Sequence, residues 1–173
     1  MSTTTQALPM SHYSAIERVA LRVEKPGQYL GGEVNMVRHD WTETGRVRFA
    51  LAFPDTYAIG MSNQGFKILY HLVNEQPDML CERAFSPWLD MEREMRVASI
   101  PAFSLENFYA LNEFDCIGFS LQNETSYTNV VNLIDLAGVP VNQRERSDTD
   151  TLIIAGGTGS VTPEPHCRAH GRR

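Results

Sequence analysis

Three short segments gather the residue types that bind small molecules, and each lies at the end of an apolar run. Asp55-Thr56-Tyr57-Ala58-Ile59-Gly60-Met61-Ser62-Asn63-Gln64-Gly65 comes after Phe53, Ser120-Leu121-Gln122-Asn123-Glu124-Thr125 closes the run from Asp115, and Gly156-Gly157-Thr158-Gly159-Ser160 follows Leu152 to Ala155. Glycine allows close backbone approach and positive φ, while Ser, Thr and Asn offer neutral hydrogen bonds beside helix N-termini, which favour anions. That chemistry is binding, and the candidate residues are Asp55, Tyr57, Gly60, Ser62, Ser120, Gln122, Gly156, Gly157 and Thr158. Any one loop reads as well as an ordinary strand-to-helix connection; the weight comes from all three falling on one edge. No Ser/His/Asp or Cys/His constellation can be assembled from the spacing, so no catalytic residue is assigned.

The elements that must position these loops alternate. Arg46 to Phe53 reads as a strand with Val47, Phe49, Leu51 and Phe53 on one face and Ala50 and Ala52 on the other, as expected when both faces are covered. Gln64 to Glu75 places Phe66, Leu69, Leu72 and Val73 at helical spacing behind Ser62 or Asn63 as N-cap. Met79 to Phe85 is a weaker strand, and Ser86-Pro87 then supplies a cap and an N1 proline for a helix to about Arg96, on which Trp88 and Met91 should pack. Ser99 to Glu113 has no regular pattern. Asp115 to Leu121 is a buried strand, and Thr125 or Ser126 caps a helix with the stripe Tyr127, Val130, Val131, Ile134 and Ala137, ended by Gly138. Leu152 to Ala155 is the fourth strand.

Alternating strands and helices predict an α/β fold: a doubly wound, flavodoxin-like or Rossmann-like parallel sheet. Such a sheet usually has five strands in the order 2-1-3-4-5, so the last βα unit is expected to be missing. The organisation reads as an N-terminal arm over 1–45, with a short amphipathic stretch from Ala15 to Leu21, an incomplete α/β domain over 46–165, and a tail over 166–173. A net charge of −6 gives no electrostatic case for nucleic acid as a partner. No apolar run approaches the roughly 20 residues that span a bilayer, so no membrane partner is expected. Met1 to Met10 has neither a basic nor an apolar leader pattern, which predicts a cytoplasmic location. Cys81, Cys116 and Cys167 are dispersed and read as thiols rather than disulfides, with Cys116 in the core. His71 reads as a surface or half-buried helix residue, and Glu92-Arg93-Glu94 as a solvated face.

The three loops resemble those of cobalamin-binding Rossmann-like domains, which carry D-x-H-x-x-G, Ser-x-Leu and Gly-Gly at these places. Here the first reads Asp55-Thr56-Tyr57-Ala58-Ile59-Gly60, with Tyr where the pattern has His; the others are Ser120-Leu121-Gln122 and Gly156-Gly157. A longer resemblance runs from Val23 to Pro165. It is carried by V-E-K-P-G-Q-Y-L-G-G-E (Val23 to Glu33), F-A-L-A-F-P-D-T-Y-A-I-G-M-S (Phe49 to Ser62), G-F-K-I-L-Y-H-L-V-N-E (Gly65 to Glu75) and F-D-C-I-G-F-S-L-Q-N-E-T-S-Y-T-N (Phe114 to Asn129). These segments resemble the N-terminal region of a bacterial family that fuses a cobalamin-binding-type domain to a radical SAM domain.

The resemblance implies cobalamin as a possible cofactor and the absent radical SAM domain as a partner. A [4Fe-4S] cluster and S-adenosylmethionine would belong only to that domain, because the chain has no C-x-x-x-C-x-x-C segment. Tyr57 is a poor cobalt ligand, since a phenol keeps its proton to about pH 10, so any cobalamin is expected without protein ligation from below. The alternative is a docking or shielding domain that binds no cofactor. Another flavodoxin-like module is a third reading, against which stand Ser120 where a phosphoacceptor has Asp and the lack of G-x-G-x-x-G after the first strand. The closing residues His166-Cys167-Arg168-Ala169-His170-Gly171-Arg172-Arg173 turn abruptly basic. His166, Cys167 and His170 on a tail make a poor zinc site, and the segment reads as an out-of-frame tail or a premature end. An uncovered fourth strand would then make the chain poorly soluble.

Overall fold

The structure, a computed structural model, describes residues 11–41 and 45–160. Its elements are α1 (Tyr13–Ala20), β1 (Val47–Phe53), α2 (Tyr57–Ser62), α3 (Gln64–Asn74), β2 (Met79–Phe85), α4 (Leu89–Ala98), β3 (Cys116–Ser120), α5 (Tyr127–Leu136) and β4 (Leu152–Gly156). The expectations for Met1 to Met10 and for the 166–173 tail lie outside the described residues.

The four strands form one parallel sheet in the order β2-β1-β3-β4. The chain runs outward from β1 to β2, then returns across β1 to β3, so the direction of winding switches between β1 and β3. This is the α/β doubly wound arrangement predicted above. On one face Leu51 and Phe53 pack with Phe66 and Tyr70 of α3. On the other, Ala50, Ala52, Ile117, Phe119 and Ile153 pack with Val130, Leu133 and Ile134 of α5. Strand residues alternate between faces, so one seven-residue strand feeds two cores.

Strand register decides what lies beside α3. Phe49 pairs with Cys116 and Cys116 with Leu152; Leu51 pairs with Gly118 and Gly118 with Ile154; Ser120 pairs with Gly156. These rungs are two residues apart, about 6.6 Å at the usual strand rise. The lower two are apolar and the top one is small and polar.

Several local expectations change. The stretch from Asp55 to Gly65 is not all loop: Tyr57–Ser62 forms α2 before Asn63 caps α3, its side chain accepting from Phe66 N–H at 2.9 Å. Ser86 does not cap α4. Its N–H is held by the Asp55 carbonyl at 3.0 Å, the chain stays extended through Trp88, and the helix starts at Leu89. Trp88 is 54% exposed rather than packed, while Met91 is fully buried. In α3 the inward residues are Phe66 and Tyr70, and Leu69 and Leu72 are about half exposed.

Residues 11–41 are built into the domain. Ile16 and Val19 of α1 pack on Met91 and Met95 of α4, and Trp41 joins the core under α5. The irregular 99–113 segment runs along the outer edge of β2. Leu105 N–H donates to the Arg83 carbonyl at 2.8 Å, and the Glu106 carboxylate accepts from Arg83 N–H at 2.6 Å. A side chain thus completes that edge in place of a strand carbonyl.

Candidate functional site

The strand register and the offset of α3 leave a cavity of about 850 Å³ over β1, β3 and β4. Its floor is Phe49, Leu51, Gly118 and Ile154; Ile68 and Leu69 of α3 form one wall; Asn63, Gln64, Ser120 and Gln122 stand among its polar lining residues. No lining residue is ionisable. The cavity lies on the face of the sheet and reaches the carboxyl ends of β3 and β4 at Ser120 and Gly156, whereas of β1 only Phe49 and Leu51 line it, short of that strand's carboxyl end.

Ser120, Gln122, Gly156 and Gly157 are the sequence-predicted residues brought together here. Gln122 Nε2 donates to Ser120 Oγ at 3.1 Å, which fixes the amide at the rim. Gly156 carries no steric load: a methyl built on it meets nothing within 4 Å. Gly157 is different. Its φ is +112°, and a methyl there would stand 2.2 Å from the Leu121 carbonyl oxygen. The loops after β3 and β4 are also joined by Leu121 N–H to the Gly156 carbonyl at 2.7 Å and Gly159 N–H to the Leu121 carbonyl at 3.1 Å. Thr158 Oγ1 donates to the Gln122 carbonyl at 2.6 Å, so it braces these loops and is not among the lining residues.

The first-loop candidates do not line this cavity. Asp55 Oδ1 accepts from Thr56 N–H at 2.7 Å, and Ser62 Oγ donates to the Ile59 carbonyl at 2.7 Å. Gly60 is buried because Phe85 packs against it: an added methyl would lie 2.4 Å from that ring. Tyr57 stacks edge-on against Phe85 and donates to Glu33 Oε1 at 2.5 Å. Burial, reinforced by the Glu33 carboxylate, pushes its phenol up to about 12. Tyr57 therefore keeps its proton and is turned to the N-terminal arm.

Sequence reasoning missed Asn63, Gln64 and Gly65 as site residues and the apolar floor altogether. The signal was present in the alternation of β1 and β4: once β3 lies between them, Phe49, Leu51 and Ile154 must share a face.

Among the described residues the cysteines offer no ligand set. Cys81 and Cys116 are free and buried, and desolvation raises both thiols, Cys116 to about 11. Among the described residues no group of three or more His, Cys, Asp or Glu could hold a metal. His71 is an exposed helix residue 3.2 Å from Glu75. Among the described residues no helix is long and apolar enough to cross a membrane.

A family model described as radical SAM proteins, N-terminal, matches residues 65–169, more than half of the chain and the part that includes Ser120, Gln122, Gly156 and Gly157. Comparison with curated proteins and with solved structures finds no match.

Proposed function

The chain belongs to the N-terminal family of radical SAM proteins, and from that premise we propose that it is the cofactor-cradling domain of such a protein, holding cobalamin by its nucleotide tail. The observation that carries this reading is the cavity over β1, β3 and β4, where Ser120, Gln122, Gly156 and Gly157 meet without an ionisable neighbour in the lining. A flat, largely apolar base suits a floor of Phe49, Leu51, Gly118 and Ile154, and about 850 Å³ is within the usual range for a small-molecule site. The open space at Gly156 is a cradle that any side chain would fill. Ser120 and Gln122 provide neutral hydrogen bonds to orient the tail.

Tyr57 has no part in ligating cobalt in this reading, because its phenol is protonated and engaged by Glu33. Bound cobalamin supplies organocobalt chemistry, and the chain's own residues position it and keep water from its buried end. An iron–sulfur cluster with S-adenosylmethionine belongs to a radical SAM domain as partner. The described residues do not fit it, since they hold no metal-ligating group and their two cysteines are buried thiols.

Equilibrium dialysis against hydroxocobalamin, followed by its visible spectrum, tests the proposal. Wild type and Tyr57→Phe should bind alike, within about twofold, whereas Gly156→Leu should bind at least about 10-fold more weakly by filling the cradle. Absence of binding by the wild type, or unchanged binding by Gly156→Leu, overturns it. The second reading, a docking domain without cofactor, is favoured by the first loop, whose Asp55, Tyr57 and Ser62 side chains are all engaged internally.

A further inference from the structure

Trp88 is the N-cap residue of α4 and stays 54% exposed beside a second, small cavity of about 140 Å³. The lining includes Glu24, Lys25 and Tyr29 of the N-terminal arm, Thr56 from the turn after β1, and Trp88 and Asp90 from the chain after β2. The cavity therefore lies on the carboxyl edge of the sheet, the edge on which open α/β sheets bind ligands. It shares no lining residue with the cavity over β1, β3 and β4. Tyr29 Oη accepts from Trp88 N–H at 3.1 Å, which ties the arm to the start of α4 and fixes the spacing of the two sides.

An open indole beside carboxylates is a setting for a cation, since Trp is the aromatic ring that attracts one best. Asp90 is held in place by neutral groups: Oδ2 accepts from Glu24 N–H at 2.8 Å and Oδ1 from Met91 N–H at 2.7 Å. Among the described residues neither Asp90 nor Glu24 forms an ion pair, and Lys25, although it lines the cavity, pairs with neither. Two carboxylates against one ammonium leave the lining with one negative charge to be met. The volume is below the usual range for a whole small molecule and suits a single side-chain-sized group. A metal ion does not fit, because among the described residues no group of three or more ligands exists. A guanidinium does: it is planar, stacks on aromatic rings, sheds water readily and donates to two carboxylates at once. We infer that this cavity binds a guanidinium group, stacked on Trp88 and hydrogen-bonded to Asp90 and Glu24. The site is independent of what the cavity over β3 and β4 holds.

Titration of the full chain with methylguanidinium at constant ionic strength, read by calorimetry and tryptophan fluorescence, tests this inference. Trp41 is buried, so a change in emission reports Trp88. Saturable binding with a Kd on the order of 1 mM is expected, and methylurea, the neutral planar analogue, should bind at least about 10-fold more weakly. Glu24→Gln and Asp90→Asn should each weaken methylguanidinium by about 3- to 10-fold, and Trp88→Leu by about 10-fold in calorimetry. Glu24 is exposed, so an unchanged melting temperature in Glu24→Gln separates lost binding from lost fold. N-acetyl-arginine amide binding more tightly than free arginine assigns the group to a polypeptide partner; free arginine binding as tightly or more tightly assigns it to a small molecule. No saturation by methylguanidinium up to about 50 mM, equal binding of methylurea, or wild-type affinity in both Glu24→Gln and Asp90→Asn would each overturn the inference.

Discussion

Gly156 and Gly157 are adjacent and identical in type, and their surroundings give them opposite roles. Gly156 has an ordinary backbone conformation and open space where a side chain would stand; Gly157 has a φ of +112° and lies against the Leu121 backbone. A side chain at the first changes what the cavity can hold, and one at the second forces the loops after β3 and β4 apart. Gly156→Ala should leave stability within about 0.5 kcal/mol of wild type, and Gly157→Ala should cost about 1–3 kcal/mol. Denaturant unfolding of the two variants checks this, and equal costs would show that the loop repacks freely. The sequence marks both as glycines after a strand and no more, since φ and the distance to Leu121 depend on how two loops far apart in the chain come together. Tyr57 has the same limit. Its place in a D-x-Tyr-x-x-Gly pattern suggests a ligand loop, whereas its direction is set by Glu33 and Phe85, which spacing does not reveal.

At the level of elements, β2 shows how an outer strand can carry charge inside a fold. Glu82 and Arg83 are both fully buried. Glu82 accepts from Trp41 Nε1 and Asn107 Nδ2, each at 2.6 Å, while Arg83 pairs with Glu106 at 2.6 Å and lies over the Tyr70 ring. These partners explain why the strand looks weak in sequence: its polar residues are paired with segments 41 and 23 positions away, and only Arg83 Nη2 is left buried without a hydrogen bond. Burial raises the Glu106 carboxyl from 4.5 to about 7, against the opposing pull of Arg83. A carboxyl whose pKa is higher in the folded than in the unfolded chain stabilises the fold at low pH, and that contribution is lost as pH rises from about 4.5 through about 7. Glu106→Gln should therefore show a flatter change in melting temperature than wild type between pH 5 and pH 8. Parallel curves for the two proteins would mean that Glu106 does not titrate there. The helices were more legible than this strand edge because their signals are local. Asn63 caps α3 as its position suggests, and Gly138 has a φ of +72° directly after the last turn that follows α5. The failure of Ser86 as a cap came from a distant carbonyl, that of Asp55.

Across the whole molecule, the sheet is graded from its centre. β1 and β3 have a strand on each side, β2 is closed by the 99–113 segment, and β4 pairs only with β3 among the described residues. Hydrogen exchange should be slowest in β1 and β3 and at least about 10-fold faster in β4. Equal protection in β4 would show that its outer edge is covered. The α/β class and the parallel sheet were readable from four apolar runs separated by helical stretches, because that pattern leaves few topologies. The cavity was not, since it comes from where α3 sits over the sheet, and no periodicity encodes that offset.

The stretch from Glu33 to Trp41 has no helix or strand, yet it fastens several parts of the fold. Glu33 holds Tyr57, Asn35 holds Arg83, Val37 N–H meets the Tyr70 hydroxyl, His39 meets Asn74, and Trp41 meets Glu82. Those partners lie 24, 48, 33, 35 and 41 residues later. During synthesis this stretch therefore leaves the ribosome before anything it can bind exists, and at about 5–20 residues per second it waits for seconds. A stretch made before all of its partners is among the last to find its place, and any chaperone acting on this protein would meet Trp41 bare.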